Sequence, residues 1–220
     1  LMKIKLFLKK VINSIFNKLG YQIVNKKDLV DYYLHEYSSY NQYRDLQILH
    51  NKRKIHSVWA DEKTLSRVVK ILLNEFSSSD KIKGICHGSR NGFEQNFLRE
   101  SSHKIDAIGT DISDNATNFQ NSFQWDFHDI NRDWTNKMEF IYTNSLDQSW
   151  QPKIALNTWL SQLKSNGILI IEHTKLHGPI ATSEMDPFGV KPVVVPYVLT
   201  MWFGSQISIE HSVEKKPTKN

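Results

Sequence analysis

The residues whose types and spacing could do chemistry sit at the ends of short apolar runs. Lys83-Gly84-Ile85-Cys86-His87-Gly88-Ser89-Arg90-Asn91-Gly92-Phe93-Glu94 leads from an apolar run across small and polar residues into a helix-compatible segment. This order predicts a strand, a tight turn and a helix. Glycine lets the backbone turn sharply and lets a ligand approach the main chain. The helix that follows would direct its unpaired N–H groups into the turn, where polar or anionic ligand groups bind. A second run, Ala107-Ile108-Gly109-Thr110-Asp111-Ile112, ends in a carboxylate. Asp111 lies 23 residues after Gly88 (111 − 88), close to the roughly 20 expected for an acid that binds ribose hydroxyls after a Gly-rich turn. Cys86, the sole cysteine, could serve as a nucleophile beside such a turn, but a small residue at a strand end is the favoured reading.

These residues need elements to position them. Asp61 is a good N-cap for a helix over 62–76, whose apolar face would be Leu65, Val68, Val69, Leu72 and Leu73. From there strands and helices alternate: strand 82–86, helix 93–100, strand 104–110, a short helix over 116–119, strand 122–125, strand 140–144, helix 154–164 closed by Asn166-Gly167, and strand 168–172. Alternation of this kind predicts a doubly wound, mostly parallel α/β sheet, which binds ligands at the carboxyl ends of its strands. Residues 28–53, rich in tyrosine and polar residues, are expected to be helical. Residues 192–202 should form a helix or extended cover, and 206–213 alternates like a strand. The chain then ends in Lys215-Lys216-Pro217-Thr218-Lys219-Asn220 without a second apolar run, and Leu1 precedes Met2. Both features favour a truncated version of a longer protein, with the last strand of the sheet missing.

Composition narrows the class. The 220 residues suit one domain with a real core. A single cysteine excludes an intramolecular disulfide and fits a reducing, cytoplasmic compartment. Net charge is +5, but no Arg/aromatic patch and no zinc spacing points to nucleic acid. Residues 1–24 read as a basic amphipathic helix, with Ile4, Phe7, Leu8, Val11, Ile12, Ile15, Phe16 and Leu19 recurring between lysines. It could pack on the domain as a lid, or lie on a membrane surface through residues 1–19. No apolar run reaches the roughly 18 residues that span a bilayer.

Together the strand ends resemble class I S-adenosylmethionine (SAM)-dependent methyltransferases over about residues 81–174. His87 to Gly92 is similar to the Gly-rich SAM loop. Asp111 stands where that family binds the ribose hydroxyls, with Ile112 beside it. Trp125-Asp126-Phe127 matches the place where an acid meets the adenine amino group. Tyr142-Thr143-Asn144-Ser145-Leu146-Asp147 matches the fourth motif, beside the methyl group. Leu163-Lys164-Ser165-Asn166-Gly167 followed by Ile168 to Ile171 is similar to the family's Leu-Lys-x-x-Gly and apolar strand. The chain departs from the pattern at Cys86, where many members carry an acid that helps hold the methionine amino group. Its fourth motif is not the Asn-Pro-Pro-Tyr of nucleic-acid amino methylation.

The resemblance implies a SAM-binding domain over 61–220, preceded by a helical extension or lid over 1–60. It implies a cofactor site at Cys86, His87, Gly88, Ser89, Arg90, Asn91, Gly92, Asp111, Ile112, Asp126, Phe127 and Asn144. The acceptor would be a small molecule or saccharide, methylated on a hydroxyl, with Asp147 or His173 as base and Asn144 orienting it. No metal is expected, because His173 and His177 are followed by Gly178-Pro179 and lack further convergent ligands. Two alternatives stay open. One is a non-catalytic SAM-fold binding module. The other is an NAD(P)-dependent oxidoreductase, although the third small residue of Gly-x-Gly-x-x-Gly is not present in the turn.

Overall fold

The structure, a computed structural model, describes residues 11–21 and 26–209. Helix α1 covers residues 11–18. Strand β1 (Tyr32–Leu34) precedes α2 (Tyr40–Arg53) and α3 (Glu62–Glu75). The alternating part follows: β2 (Ile82–His87), α4 (Phe93–Ser101), β3 (Ile105–Asp111), β4 (Ser122–Gln124), β5 (Met138–Thr143), α5 (Pro152–Gln162) and β6 (Leu163–Ile171). Strand β7 (Phe188–Val190) and α6 (Val195–Phe203) complete the described elements.

Five strands form one parallel sheet in the order β4-β3-β2-β5-β6. The direction of winding reverses between β2 and β5, where Gly84 pairs with Phe140 and His87 with Thr143. The carboxyl ends of those two strands therefore open a crevice at the switch point. Side-chain alternation divides the core into two layers. Ile82, Cys86, Ile105, Ala107, Phe140 and Tyr142 face one way, against Leu65, Val68, Val69 and Leu72 of α3 and Leu98 of α4. Ile85, Met138 and Ile141 face the other way, against Ala155, Leu156 and Trp159 of α5 and Val198 and Phe203 of α6. Complete burial of each such side chain contributes about 1.5–3 kcal/mol. Asp61 caps α3 as its position predicts, accepting from the Thr64 N–H at 3.0 Å and from the Thr64 hydroxyl at 2.9 Å.

Several elements differ from the sequence expectation. Residues 28–53 are not one helix: a 3-10 turn (Lys26–Leu29) and β1 precede α2. β1 pairs antiparallel with β7, Tyr33 opposite Gly189, in a separate two-stranded sheet. Helix α5 ends at Gln162, and Leu163 and Lys164 already belong to β6. Asn166-Gly167 is thus not a helix stop. It lies inside β6, where Asn166 takes φ 65° and the pairing with β5 shifts register. The same left-handed backbone serves a helix C-cap or a bulge. Residues 207–209 are not strand, and the rest of the expected strand over 206–213 lies outside the described residues, as does most of the expected helix over 1–24.

Candidate functional site

The turn after β2 is fixed by β3. The Gly88 and Ser89 N–H groups both donate to the Thr110 carbonyl, at 2.9 and 3.0 Å. Gly88 has φ +73°, and a Cβ there would stand 2.5 Å from the Cβ and Oγ of Ser145, so only glycine fits. Arg90 also takes a positive φ, 42°, an uncommon state for a side-chain-bearing residue. Its N–H then donates to Asp111 Oδ2 at 3.1 Å, while the Ser113 N–H donates to Oδ1 at 2.9 Å. Each oxygen so far carries one of these bonds, and a carboxylate offers about four lone-pair sites. Burial raises the Asp111 pKa, opposed by the Ser113 bond and by Arg90.

A cleft opens beside this turn, lined by Gly88, Arg90, Asp111, Ile112, Asp126 and Phe127 from the carboxyl ends of the strands. Its opposite wall is α2, through Tyr43, Gln47, His50 and Asn51, with Lys54 just beyond. Gln148, Met185 and Asp186 close a third side. Three cleft residues hold buried polar atoms without a hydrogen-bond partner: His50 Nε2, Asn51 Oδ1, an acceptor, and Arg90 Nε, a donor. A ligand carrying both donors and acceptors fits such a lining. Gln47 ties α2 to the third side, since its Nε2 donates to the Met185 carbonyl at 3.0 Å.

Asp126 is more heavily engaged than the sequence implies. Its Oδ1 accepts from the His128 N–H at 2.9 Å and pairs with His128 Nδ1 at 2.7 Å, and its Oδ2 accepts from the Tyr40 hydroxyl at 2.7 Å. His128 Nε2 in turn meets Ser149 Oγ at 2.7 Å. Burial pushes the Asp126 carboxyl up, but the His128 bonds outweigh it and hold it below its usual pKa. Its bonds join α2 to the end of β4, and of about four lone-pair sites one remains for a ligand donor.

Other expected site residues lie off the cleft. Cys86 and His87 belong to β2, which runs one residue further than its sequence suggests. Cys86 faces the α3/α4 layer and burial raises its thiol pKa well above the usual value, so it is no nucleophile. His87 faces α5: it stacks on Trp159 and bonds Thr110 Oγ1 and Gln162 Oε1, both at 2.8 Å. Ser89 is buried in the turn, and Asn91 donates to the Ile55 carbonyl at 3.0 Å. Gly92 is the N-cap of α4. None of these five residues lines the cleft.

The residues expected at the methyl-accepting end are likewise set back. Asn144 donates to Glu94 Oε1 at 3.4 Å and accepts from the Ser145 hydroxyl at 3.1 Å. His173 donates through Nε2 to the Val190 carbonyl at 2.7 Å, and burial lowers its pKa to about 4. Asp147 lies 3.9 Å from His177 Nε2. Burial, reinforced by Asp186, lifts its pKa to about 8, so at neutral pH it holds its proton. Its neighbour Gln148 lines the cleft, but Asn144, Asp147 and His173 do not. The sequence reading missed the α2 wall and the Met185-Asp186 edge. The available signal was Tyr43, Gln47 and Asn51, three buried positions four apart on one helix face. Among the described residues, no group of His, Cys, Asp and Glu is arranged to hold a metal ion, and no helix is long and apolar enough to cross a membrane.

No family model matches the sequence, and no curated protein matches it either. Solved structures do match. The plantazolicin methyltransferase BpumL, in complex with SAH, is 16% identical over 60% of this chain and 57% of its own, with a TM-score of 0.46. The sugar N-methyltransferase KedS8 from Streptoalloteichus sp is 13% identical over 60% of this chain and 54% of its own, at 0.44. The cyclase SpnF is 12% identical over 63% and 61%, at 0.45. The chain spans between 46% and 62% of the length of four such matched chains.

Proposed function

We propose that this cleft binds SAM and that the protein transfers the SAM methyl group to a small-molecule or saccharide acceptor. The observation that carries the reading is the placement of Asp111. It ends β3, lines the cleft, and keeps a lone pair for a ribose hydroxyl after bonding Ser113, Arg90 and the Asn51 side chain. Ile112 and Phe127 offer apolar surface to a base beside it, and Asn51 Oδ1 and Arg90 Nε await polar partners. When bound, the cofactor supplies an electrophilic methyl on a sulfonium, so the chain's task is alignment and exclusion of water. The segment bearing Met185 and Asp186, bonded to α2 through Gln47, performs the exclusion. Asp147, next in sequence to the cleft residue Gln148, is the proton holder for the acceptor end.

A second reading, SAM binding without transfer, is favoured by one observation: none of Asn144, Asp147 and His173 lines the cleft. Calorimetric titration with SAM and with SAH tests what both readings share. Asp111→Ala should weaken SAM about 10- to 100-fold, the range for a hydrogen bond to a charged group. Unchanged affinity would place the ribose elsewhere and sink the assignment. Tight binding of NAD(P) in the same titration would favour an oxidoreductase. Methyl transfer from labelled SAM to a saccharide panel then separates catalysis from binding alone.

A further inference from the structure

We propose that α1, with the lysine-rich sequence around it, docks this protein on an anionic lipid bilayer. The charge of the chain is divided unevenly. Lys3, Lys5, Lys9, Lys10, Lys18, Lys26 and Lys27 all precede Asp28, and no acidic residue comes before it. The remainder carries 28 − 7 = 21 Lys and Arg against all 23 Asp and Glu. The whole positive excess therefore belongs to the first 27 residues, and the body is slightly acidic. Such a polybasic segment complements anionic headgroups, and a like-charged body does not compete for them.

Apolar residues make the partner a membrane rather than a nucleic acid. At about 100° per residue, Val11, Ile12, Ile15, Phe16 and Leu19 fall within an arc of about 140°, with Lys10, Asn13, Ser14, Asn17 and Lys18 on the opposite side. In the structure that apolar arc stays exposed: its five residues are 40%, 45%, 54%, 41% and 65% exposed, in order. The sequence before α1 continues the composition with Ile4, Phe7, Leu8 and more lysine. An interfacial helix has this form: a large apolar face, a lysine-rich polar face and too little apolar length to span.

The body meets this segment at a matching place. The 3-10 turn Lys26–Leu29 packs on the turn Pro179–Ala181, and Lys27 Nζ donates to the Thr182 carbonyl at 2.6 Å. Leu29 and Ile180 stay exposed there. From Thr182 the chain runs directly to Met185 and Asp186 at the cleft.

Co-sedimentation of the full chain with vesicles tests this. Phosphatidylcholine vesicles are compared with vesicles of equal parts phosphatidylcholine and phosphatidylglycerol. The expected result is at least tenfold stronger partitioning into the anionic vesicles, weakened by added salt. Each lysine near such a surface is worth about fivefold, so a Lys9→Gln, Lys10→Gln, Lys18→Gln variant should lose on the order of 100-fold. An Ile12→Glu, Phe16→Glu variant should lose anionic binding, with an unchanged melting curve because those side chains are exposed. Equal, weak partitioning into both vesicle types overturns the proposal. So does retained binding by the Ile12→Glu, Phe16→Glu variant. A self-association measured by ultracentrifugation without lipid, and abolished by that variant, would assign the face to a second copy and overturn it too.

Discussion

Asp147→Asn should remove a decline in stability that the wild-type protein shows above pH 6.5. Four buried groups have folded-state pKa values bearing on this range. Burial lifts Asp147 to about 8 and Glu94 to about 7, and it lowers His87 and His173 to about 4. The signs oppose. Each raised carboxyl binds its proton in the folded state where the unfolded chain has released it, so it costs stability as pH rises toward the folded pKa. Each lowered histidine is neutral when folded and charged when unfolded below about 6.5, so it adds stability as pH rises to that value and little beyond. From pH 6.5 to 8 Asp147 costs about 2 kcal/mol, Glu94 about 1, and the two histidines together return about 1, at about 1.4 kcal/mol per proton and pH unit. The wild-type protein should thus lose about 2 kcal/mol over that interval. Asparagine is neutral at both ends and close in shape, so the variant should already be more stable than the wild type at pH 6.5, by the cost accumulated since the unfolded carboxyl ionised, and should stay nearly level to pH 8. Urea unfolding at the two pH values, at fixed ionic strength, measures this. An equal decline in the variant would refute the argument and show that Asp147 reaches water when ionised.

Two further outcomes follow from the turn and from the α2 wall. Gly88→Ala must hold φ +73° and push a methyl to 2.5 Å from Ser145, so it should cost more than about 1 kcal/mol of stability and weaken SAM, read by thermal melting and calorimetry. Tyr40→Phe removes the hydroxyl that donates to Asp126 Oδ2, at a cost of about 1 kcal/mol; if Asp126 serves only to join α2 to β4, calorimetry should record no gain in SAM affinity from the freed oxygen.

The large fold was legible because its central strands β2 and β5 are almost wholly buried and its helices mostly carry apolar stripes. Leu65, Val68, Val69 and Leu72 announce α3 and Asp61 announces its start. β1 and β7 were not legible. Each has three residues, too few for any period, and their pairing spans more than 150 positions of chain. α5 was overextended because Asn166-Gly167 carries the same backbone signal inside a bulged strand as at a helix end. In the site, Gly88 and Asp111 could be read because backbone geometry restricts the residue types there. The α2 wall could not, since its buried positions Gln47 and Asn51 are polar and a hydrophobic period passes over them.

That polarity has a consequence for how the cleft is built. α2 buries one large side chain, Tyr43, stacked on Trp150 at 5.7 Å and set edge-on to His128. Its other ties are polar and lead to cleft residues: Tyr40 to Asp126, Asn51 to Asp111, and Gln47 to the Met185 carbonyl. A helix held by an apolar stripe would stay in place whatever the cleft contained. A helix held through Asp111 and Asp126 shares its anchors with the ligand, so occupancy of the cleft and seating of α2 are chemically linked. The anchors are aligned by β3 and β4, whose carboxyl ends are fixed in register by the parallel pairing of Asp111 with Gln124. The sheet thus sets both carboxylates, the carboxylates set α2, and α2 completes the wall against which a ligand would lie.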